Sequence, residues 1–402
     1  KKHGMKEMEN RAFLNRITRV DLSDRSPKNT TFFDLEPLPP AQPAPGTALA
    51  TPYGISISDD DSTLVVTTAG SDKVITMDAN SGEILGRVDV EAVPRGVALT
   101  SFEDGRPSQA WVLNAVENTV SLVDVSNTFE PNLVGTILLE DPTHPTVKRG
   151  RKAFETASAS TTGTFACASC HADGHTDQLL WVLNTPIVTG GDQIQPRTTM
   201  PIRGLRDTEP YHWDGIPGDP YGGVNAANTD DYVPPNSDIN DQTTATRHLV
   251  DSGQANTMHL FGEANTNNEG KLGLLTSAQR DDMAVFLLNV PYPPAQRRPY
   301  NNVPSRRAQD GFRLFHIDGN GVGKRDVCGD CHRFPHMVST NHPTIGMDTP
   351  TWRGAYDRFL ILPQGRINMV TLPPFAALAE QGIPERELWR FSWGQREEFD
   401  PV

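Results

Sequence analysis

The chain has 402 residues, with 36 Lys and Arg against 50 Asp and Glu, so its formal net charge is −14 at pH 7. This balance argues against nucleic acid as a partner, since a protein that neutralises phosphates needs an excess of Lys and Arg. No run of about 20 apolar residues exists, so no segment is predicted to span a membrane. All 4 cysteines lie in two short motifs, at 167–171 and 328–332, which leaves none for a disulfide or a lone nucleophile.

The first part of the chain contains two copies of a strand-rich unit. Each copy alternates β-branched and polar residues in short runs broken by polar turns, which is typical of β-strands. The matching segments are 52–55 with 94–97, 64–66 with 110–112, and 72–78 with 118–124, and the first pair is offset by 42 residues. A period near 40 residues with about four strands predicts blades of a β-propeller. The pattern resembles the YVTN family of propeller repeats.

The propeller pattern is incomplete at its start. Residues 17–22 match the second half of a blade, and no first half precedes them. Two and a half blades cannot close a ring, and an open sheet edge invites unwanted pairing. We therefore expect further blades upstream of residue 1 or from another chain, with a small irregular β domain as the alternative. The acidic run 59–61 is interpreted as a turn, with a calcium site as the alternative.

From about residue 146 the pattern changes to two helical modules. Gly150 and Phe154 lie on a predicted helix, and Phe154 precedes Cys167 by 13 residues; Gly311 and Phe315 repeat this arrangement before the second motif. The fold class is therefore multidomain β plus α. The predicted domains are a partial propeller at 1–145, followed by two mainly α-helical, cytochrome c-like domains at 146–295 and 303–395.

Two further elements are predicted between the motifs. Ser277 can cap a helix over 278–289 that carries Met283, Phe286 and Leu287 on its apolar face. The polar stretch 225–245, rich in Asn, Asp and Thr, is predicted to be a long surface loop.

The two C-x-x-C-H motifs predict covalently bound c-type haem. Two thiols three positions apart can each add to one vinyl group of a haem, and the next histidine is then close enough to bind the iron. A zinc site built from all four cysteines would not need a histidine after each pair. The predicted residues are Cys167, Cys170 and His171 for the first haem and Cys328, Cys331 and His332 for the second. Because such haems are attached outside the cytoplasm, we expect a periplasmic or extracellular protein.

The sixth ligand of each iron decides the chemistry, since a thioether favours reduced iron and an open site admits peroxide. Met200 is the first candidate for haem 1, because the segment 198–201 resembles the ligand turn of class I cytochromes c. Met347 is the first candidate for haem 2, and ordinary packing is the alternative for either methionine. The rival ligands are Met258, His259 and His175 for the first haem, and Met369, His336 and His342 for the second.

Aromatic and basic residues near the motifs suggest supporting roles. Trp213, in the cluster 211–215, could stack between the two haems as an electron relay, with core packing as the alternative. The candidate partners of haem propionates are Arg203, Arg206 and Arg353, because the arginine fork suits carboxylates, although each would equally suit a surface role.

Over residues 146–390 the chain resembles the bacterial di-haem cytochrome c peroxidase/MauG superfamily. Each motif is followed by a Pro-x-x-Arg-Gly-like segment, at 201–204 and 350–354, and the segment 213–215 matches the Trp-Asp-Gly of that family. The resemblance implies that His171 serves a peroxidatic haem and His332 an electron-accepting haem. The sequence departs from the family after Gly215, where neither the expected Arg nor the catalytic Gln and Glu is found.

These features together predict a di-haem c-type cytochrome that transfers electrons between its haems and a redox partner, with the propeller as docking surface or scaffold. Two alternatives stay open. One is a cytochrome c peroxidase-like oxidoreductase or MauG-like oxidase that acts at haem 1. The other is a haem-bearing structural subunit of a larger electron-transfer assembly. The acidic balance suits a basic redox partner, and membrane association is expected only through partners.

Overall fold

The computed structural model describes residues 11–23, 29–177, 179–186, 192–209, 211–212, 218, 220, 235–260, 262–292, 299–318, 327–331, 338–339 and 348–349. The chain divides into two compact units. Of the described residues, those up to 177, 181–291, 339 and 348 belong to the first, and 179–180, 292, 299–318, 327–331, 338 and 349 belong to the second. Several predicted site residues lie outside the described residues: Trp213, His332, His336, His342, Met347, Arg353 and Met369.

The strand-rich part of the first unit forms two four-stranded antiparallel sheets in which each strand pairs with the next. Blade 1 consists of β3 (Pro52–Ile57), β4 (Thr63–Thr68), β5 (Lys73–Asp78) and β6 (Ile84–Asp89). Blade 2 consists of β7 (Pro94–Ser101), β8 (Pro107–Asn114), β9 (Thr119–Asp124) and β10 (Asn132–Leu138). A hairpin of β1 (Arg16–Val20) and β2 (Thr30–Asp34) precedes them. The prediction of propeller-like blades is confirmed, and the described part of the chain contains no closed ring.

The two blades share one strand register. Val97 pairs with Val112 in blade 2 as Ile55 pairs with Val66 in blade 1. The offset between equivalent residues rises from 42 in the first strands to 46 in the second, because β7 and β8 have 8 residues each and β3 and β4 have 6.

Blade 1 is covered on both faces, whereas blade 2 is covered on one. Between the blades lies a buried cluster made of Val65, Val74, Ala110, Val112 and Val123. On its other face, blade 1 packs Val66, Ile75 and Met77 against Leu35 and the hairpin residues Ile17 and Phe33. Trp111 and Leu113, on the outer face of blade 2, are 38% and 42% exposed. Both side chains alternate with buried neighbours along β8, as expected for a half-covered strand.

The helical part of the first unit begins with α1 (Pro145–Glu155), followed by the single turn α2 (Cys167–Cys170), α3 (Gln242–Ala255) and α4 (Ser277–Asn289). The helix predicted around Gly150 and Phe154 is confirmed as α1, and α1 packs against α4. Between α2 and α3 lie the strands β11 (Leu180–Pro186) and β12 (Asp192–Thr198), which pair with each other, and a short 3₁₀ turn at Leu205–Asp207.

Two sequence predictions in this part are corrected. The N-cap of α4 is Thr276, one residue before the predicted Ser277, and it forms a capping box with Gln279. The predicted surface loop 225–245 is wrong at its end, because α3 begins at Gln242 with Asp241 as its N-cap. Asp241 accepts from the Thr243 backbone and so satisfies a donor that the first helical turn would leave unpaired.

The second unit is described through α5 (Arg306–Arg313), a π-helical turn (Leu314–Asp318) and the single turn α6 (Cys328–Cys331). Two-residue strands follow, β13 (Val338–Ser339) and β14 (Asp348–Thr349). Among the residues that the structure describes, no helix is long and apolar enough to cross a bilayer.

Candidate functional site

The first C-x-x-C-H motif folds as one helical turn followed by its capping histidine. Cys167 and Cys170 begin and end α2, so their side chains lie one turn apart on the same side. The backbone N–H of His171 donates to the Cys167 carbonyl at 3.0 Å, and the Ala166 N–H donates to the hydroxyl of Ser169 at 3.0 Å. Both cysteines are free thiols. The turn therefore presents two thiols and an imidazole from five consecutive residues.

The His171 imidazole is half-buried and lies against the helix α1. Its ring centroid lies 6.3 Å from that of Phe154. Burial lowers the pKa of His171, while a hydrogen bond with the Met200 backbone and the charge of Asp177 act in the opposite direction. Nδ1 of this ring is buried without a hydrogen-bond partner. An imidazole with a buried, unsatisfied nitrogen is suited to a further ligand, because such a group is otherwise costly to bury.

An apolar cluster surrounds the motif. Cys167 and Ala168 pack against it at its edge. Its buried side chains come from α1, α3, α4 and the segments between them, and include Phe154, Phe165, Ile202, Leu205, Tyr211, Val250, Met258, Met283 and Leu287. These residues lie far apart in the sequence, so the cluster forms only when the helices pack around the motif.

Burial suppresses ionisation of the two thiols. Desolvation raises the pKa of Cys167 to about 12, and desolvation, with the charge of Asp177, raises that of Cys170. A catalytic or redox-active cysteine usually has a lowered pKa, because the thiolate is the reactive form. The environment therefore argues against a thiolate nucleophile at this turn.

Two of the predicted sixth ligands lie close to the motif in this structure. The Met200 backbone acts to raise the pKa of His171, so Met200 lies near the imidazole. Met258 is 3% exposed and belongs to the apolar cluster that contacts Cys167. The adjacent His259 is also buried, and its Nε2 has no hydrogen-bond partner. His175 follows directly after the 3₁₀ turn Ala172–Gly174 that continues from His171.

The segment after the histidine, 172–177, is held by backbone and side-chain contacts. The Gly174 N–H donates to the His171 carbonyl at 2.9 Å, and the Asp177 N–H donates to the Cys170 carbonyl at 2.7 Å. Arg203 donates to the Asp173 carbonyl through Nε at 3.2 Å and Nη2 at 3.0 Å. The sequence suggested either a haem propionate or a surface role for Arg203, and in this structure its guanidinium lies on the Asp173 carbonyl.

An arginine that the sequence analysis did not single out also contacts this segment. Arg95, on β7, donates from Nη1 to Asp173 Oδ1 at 2.7 Å and from Nη2 to Glu155 Oε2 at 2.9 Å. The only sequence signal was a departure from the repeat, because the equivalent residue of blade 1 is Tyr53.

The second motif has the same local form at its start. Cys328–Cys331 is a single helical turn, and Cys328 is an exposed free thiol. Gly329 lies against the preceding π-helical turn, since a Cβ added there would stand 2.4 Å from His316 Nδ1. Gly329 thus allows a close approach that a larger residue would prevent.

In the run 59–61, where calcium binding was the alternative to a turn, the carboxylate of Asp60 accepts hydrogen bonds from two serine hydroxyls. Asp60 Oδ1 accepts from the Ser58 hydroxyl at 2.5 Å and from the Ser62 hydroxyl at 2.8 Å. These hydrogen bonds lower the pKa of Asp60, as is usual in such a turn. No group of three or more His, Cys, Asp or Glu side chains among the described residues is arranged to hold a metal ion.

No protein-family model matches the chain, and no curated protein matches it. Solved structures with similarity include two of Kuenenia stuttgartiensis hydrazine synthase. One, pressurised with xenon, is 18% identical, covers 54% of this chain and 74% of its own, and has a TM-score of 0.35. The other is 30% identical over 23% of this chain and 24% of its own, with a TM-score of 0.20.

A third neighbour is the β-propeller domain of Myceliophteria thermophila Cps50 (Swd1). It is 17% identical over 32% of this chain and 40% of its own, with a TM-score of 0.25. Because all three TM-scores are below 0.5, the blade assignment rests on the chain's own sheets. The chain spans about a quarter of the length of the 30%-identical hydrazine synthase structure and 40% of the Cps50 domain.

Proposed function

We propose that the chain is a di-haem c-type cytochrome that transfers electrons between its haems and a redox partner protein. The observation that carries the proposal is the first motif: two free thiols one helical turn apart, followed by an imidazole with an unsatisfied buried nitrogen, beside an apolar cluster. This donor set fits a haem, since thiols can form the two thioethers and a neutral imidazole can bind the iron. The start of the second motif adopts the same helical turn.

The residues that would hold the first haem are Cys167, Cys170 and His171, and those for the second are Cys328, Cys331 and His332. When bound, each haem would supply one-electron redox chemistry. The chain's own part is to position the imidazole, exclude water and set the local charge. Desolvation lowers the pKa of His171 and so favours the neutral imidazole, which is the form that binds metal.

For the sixth position of haem 1 we propose Met200, with Met258 as the rival. Met200 stands beside the His171 ring through its backbone, and Met258 reaches the site through the apolar cluster. For haem 2 we keep Met347 as the proposal from sequence. A methionine at either iron would favour electron transfer over reaction with peroxide.

The resemblance to di-haem peroxidases and MauG leads to the competing proposal. It differs at one point: haem 1 would keep an open position and react with hydrogen peroxide, with Trp213 as a relay to haem 2. A third proposal is a structural subunit of a larger electron-transfer assembly. All three place the protein in the periplasm or outside the cell, where c-type haem is attached, with a basic protein as the favoured redox partner.

The first experiment asks whether haem is attached and where. Intact-mass measurement of protein made with a c-type haem maturation system should show two haem groups. A Cys167→Ser, Cys170→Ser variant should lose one, and Cys328→Ser, Cys331→Ser should lose the other. Wild-type protein without covalent haem would refute the proposed function.

The second experiment separates electron transfer from peroxidase activity. With Met200 and Met347 on the two irons, the wild-type ferric protein should show a methionine–iron charge-transfer band from both haems, and Met200→Ala should remove the contribution of haem 1. Met258→Ala is the matched control and should leave the band in place. A high-spin haem 1 that turns over hydrogen peroxide with a reduced donor would favour the peroxidase alternative.

A further inference from the structure

Arg95 connects the propeller to both sides of the His171 site. Its guanidinium donates to two different carboxylates, those of Glu155 and Asp173. Asp173 lies two residues after His171, and Glu155 follows Phe154, whose ring stands against that of His171. The Arg95 side chain is only 19% exposed. A planar fork that binds two separate acceptors at fixed angles restrains both of them.

The position of Arg95 is itself fixed by the blades. Its Cζ lies 5.0 Å from the centroid of the Tyr53 ring, so the guanidinium stacks on the preceding blade. A Cβ at Gly54 would stand 2.3 Å from the Arg95 carbonyl oxygen, so the two inner strands approach here as only glycine allows. The side chain therefore starts from a rigid sheet and not from a loop.

Other polar contacts between the blades and the helical part involve residues outside the segment 172–177. Glu117, in blade 2, accepts from Lys148 at 2.9 Å and from Lys152 at 2.6 Å, both on α1. The Ala157 N–H, beyond the end of α1, donates to the Gly70 carbonyl, in blade 1, at 2.8 Å. Arg95 bonds through its side chain to Asp173, within the segment 172–177.

We propose that Arg95 is a positioning residue for haem 1: it holds the segment 172–177 and Glu155 in place and offsets their negative charge beside the axial histidine. This inference rests on the proposed haem at His171. Two consequences follow from the charges. Without the guanidinium, segment 172–177 loses a charged hydrogen bond, and two carboxylates near the haem lose their compensating cation.

The first test measures amide hydrogen exchange in the complete haem-loaded protein. In Arg95→Gln, the amides of Gly174, His175 and Asp177 should exchange about tenfold faster than in the wild type, as expected when a charged hydrogen bond is lost. Arg95→Lys should give an intermediate result, because an ammonium can bond to one carboxylate but does not form the fork. Arg87→Gln is the matched control: Arg87 lies on blade 1 and donates to the Thr47 carbonyl at 3.0 Å.

The second test measures the reduction potential of haem 1, with haem 2 as internal reference. Arg95→Gln removes a positive charge and should lower the potential, because oxidised iron is then favoured. Glu155→Gln removes a negative charge from the same cluster and should raise it. A purely structural role would move both variants in the same direction.

Unchanged exchange in 172–177, or potential shifts of equal sign in Arg95→Gln and Glu155→Gln, would overturn the inference. The two proposals fail separately. If the wild type carries no covalent haem, the proposed function is refuted, and the exchange comparison still decides whether Arg95 holds the segment.

Discussion

The two Gly-x-x-x-Phe helices have the same spacing to their C-x-x-C motifs but different surroundings. On α1, Gly150 lies where α4 crosses, since a Cβ added there would stand 2.0 Å from the Asp282 carbonyl oxygen. On α5, a Cβ at Gly311 would meet no atom of the described residues within 4 Å. Phe154 is 5% exposed, whereas Phe315 is half-buried. The spacing therefore predicts a helix and its distance from the motif, while the packing of that helix depends on partners elsewhere in the chain.

The largest expected difference between the two helices concerns their aromatic residues. Phe154→Ala should lower the free energy of unfolding by about 3–5 kcal/mol, because it leaves a cavity in the apolar cluster beside His171. Phe315→Ala should lower the free energy of unfolding by about 1–2 kcal/mol, because the half-buried Phe315 side chain buries less apolar surface than Phe154 does. Urea unfolding of both variants beside the wild type checks this, and equal losses would contradict the comparison.

The two glycines should respond with opposite signs. Gly150→Ala should destabilise the protein by about 1–3 kcal/mol, because α1 and α4 must move apart to admit the methyl group. Gly311→Ala should stabilise by about 0.5–1 kcal/mol, because alanine is the better helix former where space is open. Thermal unfolding midpoints of the two variants give the signs directly. A stabilising Gly150→Ala would show that the helix crossing is looser than the structure indicates.

The carboxylate of Asp251 makes the stability of the first unit depend on pH, and the described contacts of α5 include no such carboxylate. Desolvation acts to raise the pKa of Asp251, but hydrogen bonds from Lys271 and Arg280 outweigh it and lower that pKa below its usual 3.8. Asp251 therefore stabilises the fold above pH 4, and its contribution disappears as the pH falls through the lowered value.

Above pH 4, Asp251→Asn should cost about 1.5–3 kcal/mol, the range for a hydrogen bond to a charged group. Unfolding curves of wild type and variant should converge as the pH is lowered towards 2. A gap that stays constant over this range would show that the loss is steric and not electrostatic.

The smallest effect is expected at the exposed ion pair after α5. Arg313 Nη2 lies 3.1 Å from Asp318 Oδ2, with the arginine mostly in solvent. Arg313→Gln should change stability by less than about 0.5 kcal/mol, as is typical of solvent-exposed pairs. A larger loss of the free energy of unfolding, measured with urea, would show that this pair contributes more than a solvent-exposed ion pair does.

Strands and helices with clear periodicity could be predicted from the sequence, and contacts between distant segments could not. Alternating β-branched and polar residues predict the blade strands, and the Gly-x-x-x-Phe spacing predicts the helix at Gly150. Helix α3 was missed because its sequence is largely polar, although Asp241 is a standard N-cap and Ala245 and Val250 are buried. Its stability comes from packing against α4, where Asp251 binds Arg280 at 2.9 Å, and no local pattern encodes that contact.

The site divides in the same way. The cysteines and His171 are adjacent in the sequence, so their joint placement on one turn was predictable. The contact of Arg95 with Asp173 spans 78 positions and joins a sheet to a loop, which spacing alone does not indicate. The haem, the sixth ligands and the redox function stay predictions.

The first two strands of blade 2 are longer than those of blade 1, and the place of the extra residues shows where such repeats can change in length. Blade 2 gained two residues in each of its first two strands, and the facing pairs kept the pattern of blade 1. An odd insertion within a strand would have turned every later side chain to the opposite face. In blade 2 the extra residues of β7 and β8 stand next to the turn that joins them, and the one extra residue of β10 stands at its start, so both additions leave the facing pairs unchanged. A search for further blades in related chains should therefore allow changes of length at strand ends instead of assuming a fixed period.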